Sequence, residues 1–100
     1  MKLGILVTTD RFLRQIRGIT QAALSKGHTV SIFVTDEGVR LLANQQFSML
    51  SALPGVTMSF CEQSAQCHGG RPAGLPAAIV SGSQFENAIM TSESDKLLVL

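Results

Sequence analysis

Short apolar runs recur along the chain, and the stretches between them carry apolar residues at helical spacing. The first run, Leu3 to Val7, is nearly continuous, and Thr29 to Val34 follows as a second. Such runs are typical of parallel strands that are covered on both faces. Between them Ile16, Ile19 and Ala23 recur on one helix face. The opening of the chain therefore predicts a right-handed βαβ unit.

The same rhythm continues to the last residue. Short helical pieces are expected after Asp36 and from Phe47 to Leu53, and three more strands at Val56 to Phe60, Ala77 to Val80 and Leu97 to Leu100. This alternation predicts an α/β fold, a three-layer α/β/α sandwich around a five-stranded parallel sheet. The length suffices for one core, so residues 1–100 are expected to form a single domain.

Side chains that accept hydrogen bonds from free backbone N–H groups favour the first position of a helix. Candidates precede each predicted helix: Thr9 or Asp10, then Asp36, and finally Ser81 or Ser83. We expect these residues to set where the helices begin.

Charge and composition narrow the classes of partner. The net charge is +1, basic residues are spread along the chain, and Trp and Tyr are absent, so nothing indicates nucleic-acid binding. No apolar run approaches membrane-spanning length. Apolar residues make up 45% and charged residues 15% of the chain, more apolar than a small solvated monomer needs, which predicts a homo-oligomer. Two cysteines in a well-cored domain favour a reducing compartment, here the cytoplasm.

Several familiar sites are excluded by their motifs. The turn after the first strand, Thr8 to Leu13, has no glycine, so a dinucleotide fingerprint is absent. A phosphate-binding Gly-Lys-Ser/Thr loop and a Cys-x-x-Cys redox pair are also missing. No cofactor is expected. The spacing of Cys61, Cys67, His68 and His28 lacks the close ligand pair of structural zinc sites, so no metal is expected either.

Cys61 is the first candidate for function. It stands where the third apolar run ends, and open α/β sheets place their chemistry at the carboxyl ends of strands. The helix that follows can present backbone N–H groups to a thiolate. The alternative is a small hydrophobic side chain packed at the edge of the sheet. The charge of Glu62 would raise the pKa of the thiol unless that side chain points away.

Cys67 is a second candidate thiol, although an exposed spectator is the default interpretation of a cysteine beside a glycine-rich loop. The ends of strands one, three and four are expected to converge on a crevice. We expect the lining of this crevice to include Thr8, Thr9, Ser64, Gly82 and Ser83.

A loop without regular structure is predicted after Cys67. Gly69, Gly70 and Gly74 give its backbone freedom, and Pro72 and Pro76 prevent it from joining a helix. We expect a mobile loop that shelters Cys61 part of the time.

Four segments together resemble the DsrE/DsrF/TusD-like family of small sulfur-relay proteins. The resemblance spans nearly the whole chain and is carried by Gly18 to Ala23, Gly27 to Val39, Phe60 to Ala65, and Ala88 to Leu100 with Asp95-Lys96 before the last strand. It implies a three-layer sandwich with a five-stranded parallel sheet and assembly as a trimer or hexamer. Members active in sulfur transfer carry a persulfide on a cysteine just after the third strand, which maps onto Cys61. Other members have no established activity, and Cys67 has no dependable counterpart.

Two functional hypotheses follow. The first is a sulfurtransferase-like carrier that holds a persulfide on Cys61 and exchanges sulfur with donor and acceptor proteins. The second is a non-catalytic oligomeric module that binds a small anionic ligand in the same crevice.

Overall fold

Five parallel strands form one sheet in the order β4-β3-β2-β1-β5 in the computed structural model, which describes residues 1–100. The strands are β1 (Lys2–Val7), β2 (Thr29–Val34), β3 (Val56–Cys61), β4 (Ile79–Gly82) and β5 (Lys96–Val99). The helices are α1 (Leu13–Ser25), α2 (Gln45–Ser48), α3 (Glu62–Cys67) and α4 (Gln84–Glu93), with two 3₁₀ segments at Asp36–Ala43 and Met49–Ala52.

One face of the sheet carries the main core. The register aligns Ile5, Ile32, Met58 and Ile79 in one row across four strands. All four are buried in a cluster that also contains Ile16 of α1 and residues of both 3₁₀ segments and α2. Because the connections from β1 to β4 all step in the same direction, right-handed crossovers place α1, α2 and α3 on this face.

The opposite face is covered by α4, because the step from β4 back to β5 reverses the direction of the crossover. A smaller cluster of Phe33, Cys61 and Met90 lies under this helix, with Leu6 packed against it. Helices on both faces complete three layers. The predicted α/β/α sandwich with a five-stranded parallel sheet is confirmed.

Two strand boundaries differ from those predicted. The fourth strand is Ile79–Gly82, two residues later than expected, and the fifth begins at Lys96 and lies at the edge of the sheet. All four residues of β5 are exposed, so this edge lacks a cover.

The capping predictions were right for one helix and wrong for two. Ser83 caps α4 and forms a capping box with Glu86. Helix α1 begins only after Phe12, without a side-chain cap, so neither Thr9 nor Asp10 has the predicted role. Asp36 does not cap the 3₁₀ segment that follows β2 but is its first residue.

No helix combines the length and the apolar character needed to span a membrane.

Candidate functional site

Cys61 ends β3 and is 5% exposed. Its neighbour across the sheet is Gly82 of β4, and it packs with Phe33 and Met90 beneath α4. Helix α3 begins at the next residue, Glu62, so the first-turn N–H groups after Cys61 lack partners within the helix. The thiol is therefore a packed side chain that also lies beside free backbone donors.

A cavity of about 310 Å³ opens beside Cys61. It is lined by residues that follow three neighbouring strands: Thr35, Asp36, Cys61, Gln63, Ser64, Cys67, His68 and Gln84. The crevice therefore forms at the ends of β2, β3 and β4, and not of β1, β3 and β4 as expected.

Of the five residues predicted to line the crevice, one lines this cavity and four do not. Ser64 lies in the cavity. The backbone N–H and Oγ1 of Thr8 both donate to the carbonyl oxygen of Leu100, at 2.7 and 3.3 Å, because β1 is next to β5 and separated from β3 by β2. Thr8 and Thr9 are thus placed outside the cavity, a correction to the expected lining.

Gly82 and Ser83 are near Cys61 but do not line the cavity. Gly82 lies opposite Cys61 in the sheet. The hydroxyl of Ser83 donates to Glu86 at 2.8 Å and accepts from the N–H of Phe85 at 3.2 Å, so it is committed to the start of α4.

Three polar side chains join the ends of the three strands. The amide Nε2 of Gln84 donates to Thr35 Oγ1 at 3.1 Å, and Thr35 Oγ1 lies 3.1 Å from Ser64 Oγ. The backbone N–H of Asp36 also donates to Ser64 Oγ, at 3.0 Å. Since Thr35 accepts from Gln84, it is free to donate to Ser64, and the Ser64 hydroxyl proton is then available to the thiol.

The backbone at Asp36 makes this arrangement possible. Asp36 has φ of +50°, in the left-handed region that is uncommon for residues other than glycine. This conformation costs roughly 1–2 kcal/mol. Here it accompanies the turn that brings the Asp36 N–H to Ser64, and backbone strain of this kind clusters at functional sites.

The pKa of Cys61 reflects two opposing effects. Burial, the largest single effect, raises the pKa of the thiol. The side chain and N–H of Ser64, the side chain of Gln84 and the N–H of Gln63 favour the thiolate, and together they hold the pKa below its ordinary value of 9.0. These donors lie near Cys61 Sγ without forming a hydrogen bond to it. The hydroxyl of Ser64 and the amide Nε2 of Gln84 are each hydrogen-bonded to Thr35 Oγ1 instead.

Glu62 is turned toward a cation. Its Oε1 accepts from Arg71 Nη2 at 3.1 Å, and the Arg71 guanidinium carbon lies 5.4 Å from the centre of the Phe60 ring. The positive charge of Arg71 therefore compensates the negative charge of the Glu62 carboxylate, which reduces its expected effect on the pKa of Cys61.

Cys67 is exposed, ends α3, and lines the same cavity as Cys61. Six residues of helix correspond to about 9 Å along the axis. The loop that follows has positive φ at Gly69, Gly70 and Gly74, with open space around each Cα. It is attached to the rest of the protein through Arg71 and through Leu75, which packs against the main core.

Five lining residues were missed by sequence reasoning: Thr35, Asp36, Gln63, His68 and Gln84. Thr35 and Asp36 come directly after the second apolar run, so the signal that singled out Cys61 applied to them as well. The His, Cys, Asp and Glu side chains form no group of three or more able to hold a metal ion.

Comparison with known proteins adds to this geometry. A family model described as the DsrE/DsrF-like family matches residues 1–100. The chain belongs to the DsrE/DsrF-like family. The predicted family is thereby confirmed, and membership supports a sulfur-relay type of role in general.

Two solved structures share the DsrE-like fold. The ychN protein from E. coli superposes with a TM-score of 0.78 at 14% sequence identity, over 100% of both chains. MTH1491 from Methanobacterium thermoautotrophicum, a protein of unknown function, has a TM-score of 0.75 at 14% identity, over 99% of this chain and 98% of the other. At this identity the likeness concerns the fold alone. No curated protein matches the sequence.

Proposed function

We propose that this DsrE-like protein is a sulfur carrier that holds a persulfide on Cys61 and passes it to a partner thiol. The observation that carries the proposal is the cavity beside Cys61, where donors of Gln63, Ser64 and Gln84 lower the pKa of the thiol below its ordinary value. The thiolate is the form of cysteine that attacks sulfur.

Sulfur transfer needs two exchanges at this thiolate. In the first, Cys61 attacks the outer sulfur of a donor persulfide; the new S–S bond forms as the donor's own S–S bond breaks, and the donor leaves as a thiolate. In the second, an acceptor thiolate attacks the outer sulfur of the Cys61 persulfide, and Cys61 leaves as a thiolate. Nothing is oxidised or reduced overall, so the reaction needs no redox cofactor. A thiol of lowered pKa is the better leaving group in the second step.

The cavity suits the loaded state. Its volume of about 310 Å³ leaves room for one extra sulfur atom and an approaching side chain. Because Cys61 itself is 5% exposed, only a group that enters this cavity reaches its sulfur. The persulfide is thus kept from bulk thiols while remaining open to a shaped partner.

Under this proposal Cys67 takes no part in the transfer of sulfur to Cys61. It is exposed and lies about 9 Å along α3 from Cys61, too far for direct transfer between the two sulfurs without movement. A relay from Cys61 to Cys67 would require the end of α3 to unwind.

A non-catalytic binding module is the second candidate. The donors that favour the thiolate would also hold a small anion in the cavity. Replacing Cys61 with Ser leaves those donors in place, so a binding module retains affinity for inorganic sulfate in Cys61→Ser, whereas a carrier loses its capacity for sulfur.

We further propose that the protein works as a homo-oligomer, a trimer or hexamer, in the cytoplasm. Support comes from large apolar side chains exposed on α4 and on both edge strands: Val80, Phe85, Ile89, Leu97, Leu98 and Val99. Val80 and Ile89 line one surface pocket, and Leu97, Leu98 and Val99 are consecutive exposed residues of the edge strand β5. Single hydrophobic side chains at a surface are ordinary, but such groups of them mark interfaces. Sedimentation of a monomer at micromolar concentration would contradict the oligomer.

The experiment that tests the carrier is direct. The protein is exposed to inorganic polysulfide, and its intact mass is measured for the gain of one sulfur atom at Cys61.

A further inference from the structure

Three arginines line one groove at the start of α1. Arg11, Arg14 and Arg17 share a surface groove of about 500 Å³ with Asp10 and Gln46. Residues three apart lie on the same side of a helix, so α1 directs Arg14 and Arg17 toward the same part of the surface. The three arginines lie within seven consecutive residues, and the helical spacing of Arg14 and Arg17 keeps their side chains together.

None of the three arginines has an ionic partner. The protein contains one ion pair, between Arg71 and Glu62. Asp10 lines the same groove without pairing to any guanidinium, and Arg17 makes a polar contact only with Gln46 Oε1, at 3.5 Å. Three guanidiniums in one groove therefore keep their capacity for carboxylates free, and Arg is the side chain best suited to bind carboxylates with two parallel hydrogen bonds.

The groove lies at the same edge of the sheet as Cys61. Helix α1 follows the carboxyl end of β1, and Cys61 ends the parallel strand β3. With β2 between them, β1 and β3 are about 10 Å apart. A standard protein interface covers about 800 Å² on each partner, a patch roughly 30 Å across. One bound protein therefore reaches both the arginines and the thiol.

We infer that this arginine groove docks an acidic segment of the protein that exchanges sulfur with Cys61. The identity of the partner as a sulfur-exchanging protein rests on the proposed function; the acidic chemistry rests on the groove alone. A nucleic acid fits less well, because the three lysines lie at the opposite edge: Lys2 and Lys96 begin strands and Lys26 directly follows α1.

The first arm of the test measures binding to the unloaded protein. A fluorescently labelled octaglutamate peptide is titrated with the full chain at low salt, and its anisotropy is followed. The triple variant Arg11→Gln, Arg14→Gln, Arg17→Gln is expected to weaken binding about tenfold, since each exposed ion pair contributes roughly 0.2–1 kcal/mol.

A matched control separates the groove from net charge. The variant Lys2→Gln, Lys26→Gln, Lys96→Gln removes the same number of charges at the opposite edge and is expected to bind the peptide as the wild type does. Equal weakening in both triple variants overturns the inference, as does displacement of the peptide by inorganic phosphate at the same concentration of anionic groups.

The second arm measures transfer from the loaded protein to two thiol peptides that differ only in Glu or Gln around a single Cys. Faster transfer to the Glu peptide, lost in the arginine variant alone, supports the inference; equal rates overturn the link to sulfur exchange. A protein that binds octaglutamate through the arginines but never gains sulfur contradicts the proposed function and leaves the inference about the arginine groove standing, so the two failures are distinguishable.

Discussion

The hydroxyl of Ser64 accepts a hydrogen bond from the backbone N–H of Asp36 at 3.0 Å, although the two residues are 28 positions apart. This contact joins the turn after β2 to the first turn of α3. Ser64 Oγ also lies 3.1 Å from Thr35 Oγ1, and when Thr35 is the donor in that contact the Ser64 proton is free to stabilise a thiolate at Cys61. In that arrangement the hydrogen bonds from Gln84 through Thr35 to Ser64 point in one direction and polarise one another, which reinforces the effect.

Replacing Ser64 with Ala tests this network. The variant loses the side-chain donor to the Cys61 thiolate, so its Cys61 pKa should rise and alkylation of Cys61 by iodoacetamide at neutral pH should slow several-fold. The measurement uses a Cys67→Ser background, so that one thiol reacts. Ser59→Ala, two residues earlier on β3, is the control and should leave the rate unchanged. Equal rates in both variants would exclude Ser64 from the site.

The pH dependence of stability provides an independent check. Because the nearby donors of Ser64, Gln84 and Gln63 favour the thiolate more than burial opposes it, the folded pKa of Cys61 lies below 9.0 and folding favours the thiolate. The stability of the wild type relative to Cys61→Ser should therefore increase as pH rises from the folded pKa toward 9.0, and the extra stability should disappear as pH falls below the folded pKa. Urea unfolding of both proteins between the folded pKa and pH 9.0 measures the difference in their free energies of unfolding. A difference that becomes smaller as pH rises would contradict this prediction.

Arg71→Gln should change reactivity more than stability. The Arg71–Glu62 pair is about half exposed, so its loss should cost about 1 kcal/mol or less of unfolding free energy. The uncompensated Glu62 carboxylate should nevertheless raise the pKa of the neighbouring thiol and slow its alkylation. Adding Glu62→Gln to Arg71→Gln should restore the rate. If the double variant is alkylated as slowly as Arg71→Gln alone, Arg71 does not act by compensating the charge of Glu62.

Substitution of two glycines by alanine should change the stability of the protein in opposite directions. A Cβ at Gly38 would lie 2.5 Å from the carbonyl oxygen of Val7, so Gly38→Ala should destabilise the protein by about 1–3 kcal/mol. A Cβ at Gly18, inside α1, meets no atom within 4 Å, so Gly18→Ala should stabilise by about 0.5–1 kcal/mol. Thermal unfolding of the pair measures both. Similar melting temperatures would show that the backbone relaxes around residue 38.

The strands and the position of Cys61 were predictable because they depend on local patterns. Each apolar run became a strand, and the register places Ile5, Ile32 and Met58 in one buried row. The end of the third run located Cys61 at the carboxyl edge. Alternation of strands and helices was enough to give the layers.

The composition of the cavity was less predictable, because it depends on which strands are neighbours. The order β4-β3-β2-β1-β5 puts Thr35 and Gln84 beside Cys61 and leaves Thr8 beside Leu100. No local pattern carries that order. The same contact between Thr8 and Leu100 holds the segment after β1, and α1 begins only beyond Phe12.

Intact-mass spectrometry after exposure to inorganic polysulfide tests the central claim most directly. Wild type, Cys61→Ser and Cys67→Ser are compared, with melting temperatures measured on the same samples. Wild type and Cys67→Ser should each gain one sulfur atom that an added acceptor thiol removes, while Cys61→Ser should still unfold in one cooperative thermal transition and gain none, since serine is close to cysteine in size. Sulfur gain that persists in Cys61→Ser and is lost in Cys67→Ser would contradict the claim and assign the carrier thiol to Cys67.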